Sequence, residues 1–159
     1  MVEPFVVVFV PGVTPGKWGR IWSDRMPRQP LELRPAPGDE ALAALHDGAA
    51  QMAFLRDVPA SDTLHVIPLY REQPVVQLDR DSPLASAESL TLAEAESLGL
   101  EVVPQSVARA RSRRDMVVRP VPDAPDSGVG LAWRVSAQHP LIEVFVGIVR
   151  GRTPNSSRS

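Results

Sequence analysis

The stretch Phe5–Trp22, FVVVFVPGVTPGKWGRIW, limits what this chain can fold into more than any other. It opens with six consecutive apolar residues, Phe5–Val10, four of them valine. A short β-branched run of this kind suits a strand buried on both faces, as in a parallel sheet covered by helices. The run breaks at Pro11-Gly12, and Thr14-Pro15 follows. Thr is a favoured helix N-cap and Pro a favoured first helical residue, so the pair predicts a helix start. Trp18, Ile21 and Trp22 then recur at helical spacing, with Lys17, Arg20, Ser23 and Asp24 on other faces. A strand, a tight loop and a helix start set main-chain N–H groups where an anion can be held. Any βα unit needs such a turn, so taken alone the stretch speaks for architecture more than for function.

The pattern then repeats. Leu31–Leu33 reads as a second strand, stopped by Pro35 and Pro37. Gly38-Asp39-Glu40 opens a second helix with Ala41, Leu42 and Leu45 as its buried face and Gly48 as its C-terminal stop. Met52–Leu55 is a third strand, and β-α-β-α-β is the order of a parallel sheet with right-handed crossovers. Leu64–Leu69 and Pro74–Leu78 read as extended runs separated by a loop at Tyr70–Gln73. Thr91 and Glu94 have capping-box spacing. Leu100–Val103 predicts another strand, Gln105-Ser106 a helix start, and Met116–Val121 and Val129–Val135 two more strands. Leu141, Ile142, Phe145, Ile148 and Val149 form one apolar helical stripe. Residues 154–159 read as a disordered tail.

Composition narrows the function classes. With 159 residues the chain is about one domain, and with no cysteine it has no disulfide, thiolate metal site or cysteine nucleophile. No apolar run approaches the roughly 20 residues needed to cross a bilayer, and the N-terminus lacks the layout of a signal peptide. A cytoplasmic chain without a membrane partner is the expectation. A net charge of −2 gives no broad pull toward nucleic acid. The arginine run Arg109–Arg114 has no aromatic interleaving and reads as a solvated helix end. His46, His65 and His139 fall in no metal-binding spacing, and neither a GxSxG elbow nor a nucleotide phosphate loop is present. The signals for an enzyme, a metal site and a cofactor all fail. What remains is binding of a small polar ligand at strand ends and helix N-termini.

The order of motifs resembles a known family. The run LELRPAPGDEALAALHDGAAQMAFLR, followed by LHVIPLYREQPVVQLDRDSPLASAESLTLAEAESL, is similar to the first lobe of the effector-binding domain of LysR-type transcriptional regulators. Ala44–Ala50 and Ile67–Leu92 carry the match, and GLEVVPQSVARARSRRDMVVRPVPDAP resembles that family's chain return into the first lobe. The resemblance implies a three-layer α/β/α sandwich of the type 2 periplasmic-binding-protein kind, mostly one lobe, over residues 1–153. The second lobe would be missing near 94–99, leaving a cleft with one wall. The family's winged helix-turn-helix has no counterpart here, which implies no direct nucleic-acid binding by this chain.

The resemblance also implies a non-catalytic, small-molecule-sensing role, with a carboxylate as a candidate effector. Its contacts would be Val13, Thr14, Arg56, Arg71, Gln73, Pro104, Gln105 and Ser106. Several of these residues read equally well as ordinary capping and turn chemistry. A homodimer through Trp18, Ile21 and Trp22 is implied as well. The alternative is a stand-alone interaction module that dimerises with related regulators.

Overall fold

A computed structural model describes residues 2–152. The tail 154–159, expected to be disordered, lies outside the described residues. In chain order the elements are β1 (Phe5–Phe9), α1 (Gly16–Arg25), β2 (Leu31–Pro35), α2 (Gly38–His46), β3 (Met52–Arg56), β4 (Leu64–Glu72), β5 (Pro74–Asp79), a 3-10 turn (Pro83–Ser86), α3 (Leu92–Ser97), β6 (Val103–Pro104), α4 (Gln105–Ala110), β7 (Met116–Pro120), β8 (Ser127–Arg134) and α5 (Leu141–Val149). They form two compact units. The first holds the residues up to Ile67 and those from Gly130 onward; the second is the continuous segment Pro68–Val129.

The first unit is built on a sheet of order β2-β1-β3-β8-β4. β1 runs parallel to both neighbours, with Val7 opposite Leu33 on one side and Met52 on the other. This is the buried parallel strand that the run Phe5–Val10 predicts. Because side chains alternate along a strand, Phe5, Val7, Met52 and Phe54 share one face, and Val6, Val8, Ala53 and Leu55 the other. Rings fill the first face. Trp22 of α1 stacks on Phe5, Trp18 stacks on Phe54, and Phe145 of α5 meets Phe5, Trp22 and Phe54 at centroid distances of 6.3, 6.0 and 5.9 Å. α2 presents its buried Ala41 and Leu45 and ends with Gly48 at a φ of +83°. That is the left-handed C-terminal stop expected there.

The second unit has its own three-stranded sheet, order β6-β5-β7, with β5 antiparallel to both neighbours. Alternation along β5 sends adjacent valines to opposite sides. Val75 packs with Val103, Val107 and Ala108 of the α4 side, while Val76 and Leu78 pack with Leu90, Ala95 and Val121. Arg119 of β7 ties the Pro83–Ser86 turn to this sheet by donating to the carbonyls of Ala85 and Ala87.

The α/β class holds, and several details differ from expectation. The segment Glu94–Gly99, expected to mark a missing lobe, is the end of a capped helix within the second unit, which has a sheet and two apolar clusters of its own. That segment therefore lies inside a compact unit. Tyr70–Glu72 continues β4 instead of looping, and Leu100–Val103 contributes only Val103 to a strand. Pro15, not Thr14, occupies the α1 N-cap, and no side chain caps that helix. Trp22 is 1% exposed. It serves the core, so it offers no surface to a partner.

Candidate functional site

The C-terminal edge of the parallel strands in the first unit gathers the first group of candidate residues. β1 runs out into Val10, whose N–H donates to the Phe54 carbonyl (3.2 Å), and Val13 N–H folds back onto the Val10 carbonyl (3.3 Å). Val13 is buried, so it presents main chain more than side chain. Thr14 next to it is exposed, and its hydroxyl is not used in capping α1. The helix's own bonding starts with the Trp18 and Gly19 N–H groups on the Pro15 carbonyl (3.0 and 3.1 Å). The N–H groups of Gly16 and Lys17 therefore lie ahead of the first intrahelical bond, at the positive end of the helix dipole.

Arg56 closes the same edge from the end of β3. Its Nη1 donates to the Pro11 carbonyl at 3.0 Å, which holds the guanidinium beside the β1 loop. The next residue, Asp57, has a φ of +59°, a left-handed conformation that Asp tolerates better than most residues. Between these strand ends and the start of α2 lies a recess of about 290 Å3, with Val10, Leu42, Leu55 and Val58 as its apolar wall and Arg56 and Asp39 as its charged residues. A mostly apolar recess with a fixed guanidinium and a carboxylate in its lining can take a small polar organic ligand.

The second group lies wholly in the second unit. Glu72, at the end of β4, is 9% exposed and accepts a hydrogen bond from the Ser106 hydroxyl. Gln105 N–H donates to the Gln73 carbonyl (3.0 Å), and Pro104, the α4 N-cap, pairs with Pro74. Gln73, Pro104, Gln105 and Ser106 thus lie together in the second unit, around a buried carboxylate that sequence reasoning missed. No periodicity in β4 distinguishes Glu72 from its exposed neighbours. Arg71 is a strand residue rather than a loop residue, held in a fork by Asp126: Nε to Oδ2 at 3.0 Å and Nη2 to Oδ1 at 2.6 Å. That hydrogen bonding, with the charge of Arg71, holds the Asp126 carboxyl below its ordinary pKa of 3.8. Among the described residues no cluster of His, Asp or Glu is placed to hold a metal, and no helix is long and apolar enough to cross a membrane.

Fold and strand-end geometry together define the class: an α/β domain of the type 2 periplasmic-binding-protein kind. The family model of the LysR substrate binding domain matches residues 18–97, half of the chain, and the chain belongs to that family. Among solved structures it is similar to a cysteine-to-aspartate mutant of the OxyR regulatory domain from Pseudomonas aeruginosa, at 18% identity and a TM-score of 0.73, over 94% of this chain and 97% of that one. It is also similar to full-length BenM carrying a point mutation, at 14% identity and a TM-score of 0.75, over 93% of this chain and 66% of that one. A Corynebacterium glutamicum OxyR mutant with bound H2O2 gives 19% identity and a TM-score of 0.72, over 94% and 67%. The chain thus spans about two thirds of these two longer proteins. No curated protein matches it in sequence.

Proposed function

We propose that this chain is the effector-sensing domain of a LysR-type transcriptional regulator, cytoplasmic and non-catalytic, with a small carboxylate as its effector. The observation that carries the reading is the strand edge of the first unit. There the Arg56 guanidinium is fixed on the Pro11 carbonyl, and three residues along the same loop Thr14 is exposed with its hydroxyl unused in capping α1. The ligand's carboxylate meets Arg56 and Thr14, and the main chain at Val13 shapes the loop that presents them. Within the second unit, Gln73, Gln105 and Ser106 form a polar set of their own, with Pro104 setting the start of α4 and Arg71 steadied by Asp126. Binding acts on the regulator by favouring one of two arrangements, through a difference in affinity for them.

The second unit is taken as a shortened counterpart of the family's second lobe. DNA contact belongs to other parts of the regulator. Homodimerisation uses the α1–β2 edge. β2 is the outer strand of its sheet, and a groove of about 470 Å3 runs beside it, lined by Gly16, Gly19, Arg20, Leu31 and Leu33. Trp18 and Ile21 of α1, both half-buried, add apolar surface to that helix; Trp22 takes no part.

A thermal-shift titration with a panel of small aliphatic and aromatic carboxylates tests the sensing role. At least one should raise the Tm, and Arg56→Gln and Thr14→Val should each weaken that response by about tenfold, the worth of one charge-assisted or buried hydrogen bond. A panel that leaves the Tm unmoved, or stabilises both variants as well as the wild type, counts against the reading.

A further inference from the structure

We propose that the groove between the Pro83–Ser86 turn and β7, within the second unit, binds a phosphate-sized oxyanion at a site separate from the strand-edge site above. The groove has a volume of about 470 Å3 and is lined by Arg80, Ser82, Ser86, Val117 and Arg119 among others. Both guanidiniums are fixed by main-chain carbonyls. Arg119 donates through Nε to Ala87 O (2.9 Å), through Nη2 to Ala85 O (2.6 Å) and through Nη1 to Val118 O (2.8 Å). Arg80 donates through Nε to Arg114 O (3.0 Å). A guanidinium carries five N–H groups, so these bonds leave donors on the Nη atoms of both residues.

Neither arginine has a carboxylate partner among the described residues. Of the acids nearest in sequence, Asp79, Asp81 and Asp115, the first accepts from the Asp81 N–H (2.9 Å) and the last pairs with Arg113 (3.3 Å). None of the three lines the groove. Two cations lining one groove with no carboxylate among its lining residues repel each other, and an anion relieves that repulsion. Their orientations are already set by carbonyls, so little side-chain freedom is lost on binding.

The donor inventory selects the shape of the anion. Ser82 accepts from the Leu84 N–H (3.4 Å), which leaves its hydroxyl proton free to donate. Ser86 uses its proton on the Pro83 carbonyl (3.1 Å) and adds no donor. The Nη donors left on two arginines and one hydroxyl, set around one groove, suit a tetrahedral oxyanion with three or more acceptor oxygens better than a planar carboxylate with two.

The test titrates the full chain with inorganic phosphate at constant ionic strength, with chloride as control, following Tm and the arginine Nε resonances. Phosphate should raise the Tm and shift the Arg80 and Arg119 signals, and Arg80→Gln should weaken binding by about tenfold or more. Because Arg80 also anchors Arg114, Ser82→Ala serves as a second variant and should weaken phosphate binding with the fold intact. Equal stabilisation by chloride, or unchanged phosphate affinity in both variants, overturns the proposal. A phosphorylated sugar that binds more tightly than phosphate assigns the site to phosphorylated metabolites; equal affinity assigns it to free phosphate. Either result supports the site.

Discussion

The indole of Trp22 lies flat on the ring of Phe5, with centroids 5.4 Å apart and planes 8° from parallel. Its Nε1 donates to the Gln29 carbonyl at 2.8 Å, so the polar handle of the buried ring is satisfied. The apolar load of α1 is therefore spent mainly inside the first unit. Trp22→Ala should cost about 3–5 kcal/mol, the range for deleting a buried aromatic, read by urea denaturation. Trp22→Asp should lose its native circular dichroism before any change in oligomeric state can be measured.

Gly130 marks a close approach between β8 and β4. A Cβ there would lie 2.7 Å from Val66 Cγ1 and 3.1 Å from the Ile67 carbonyl oxygen. The main-chain contact cannot turn aside as a side chain can. Gly130→Ala should destabilise by about 1–3 kcal/mol through overpacking. Gly38→Ala, where an added Cβ meets nothing within 4 Å, should be neutral or slightly stabilising in the same assay.

The capping box at the start of α3 is complete: Glu94 N–H donates to Thr91 Oγ1 (3.1 Å), and Thr91 N–H donates to Glu94 Oε1 (2.9 Å). The Leu92 N–H is taken up by Asp123 (2.8 Å). Thr91→Ala should cost about 0.5–2 kcal/mol. Thr91→Ser should recover most of it, and amide exchange of α3 should quicken in the Ala variant alone.

Asp126 gives a pH dependence of known sign. Arg71 lowers its pKa in the folded protein below 3.8, so the folded state releases this proton more readily than the unfolded chain. The contribution is present above 3.8 and disappears as the pH falls through the lowered value. Asp126→Asn should lower the Tm slightly at neutral pH, and the difference from wild type should close in acid. The effect is small because the pair is exposed, with side-chain exposures of 64% and 53%.

Much of the fold was legible because proline and glycine punctuate the chain and the apolar runs are unambiguous. Phe5–Val10, the Gly48 stop, the Thr91–Glu94 box and the stripe on α5 all follow from local rules. The losses came where tertiary context overrides them. Thr14-Pro15 has the ordinary look of an N-cap and first turn, yet the helix begins one residue later and leaves the hydroxyl outside. Trp22 looked like surplus apolar surface because sequence does not show that Phe5 and Phe145 converge on it. The resemblance named Gln73, Pro104, Gln105 and Ser106 as separate contacts, and Glu72, buried among them, not at all. A lone glutamate in a strand carries no periodic signature, and its partner Ser106 is more than thirty residues away.

The second unit is one continuous segment, whereas the first is interrupted between Ile67 and Gly130. In the first sheet β8 sits between β3 and β4, so the place beside β3 stays vacant until the chain has been made past residue 130. During synthesis the segment Pro68–Val129 can close its sheet first, from β5, β6 and β7 alone. The strands made earliest wait for their last partners, β8 and α5, with the apolar edge of β3 unpaired. Such delayed, long-range closure slows folding and exposes a strand edge to other chains. This molecule's vulnerability to misassembly therefore lies in the order of its synthesis, at an edge that the finished fold conceals.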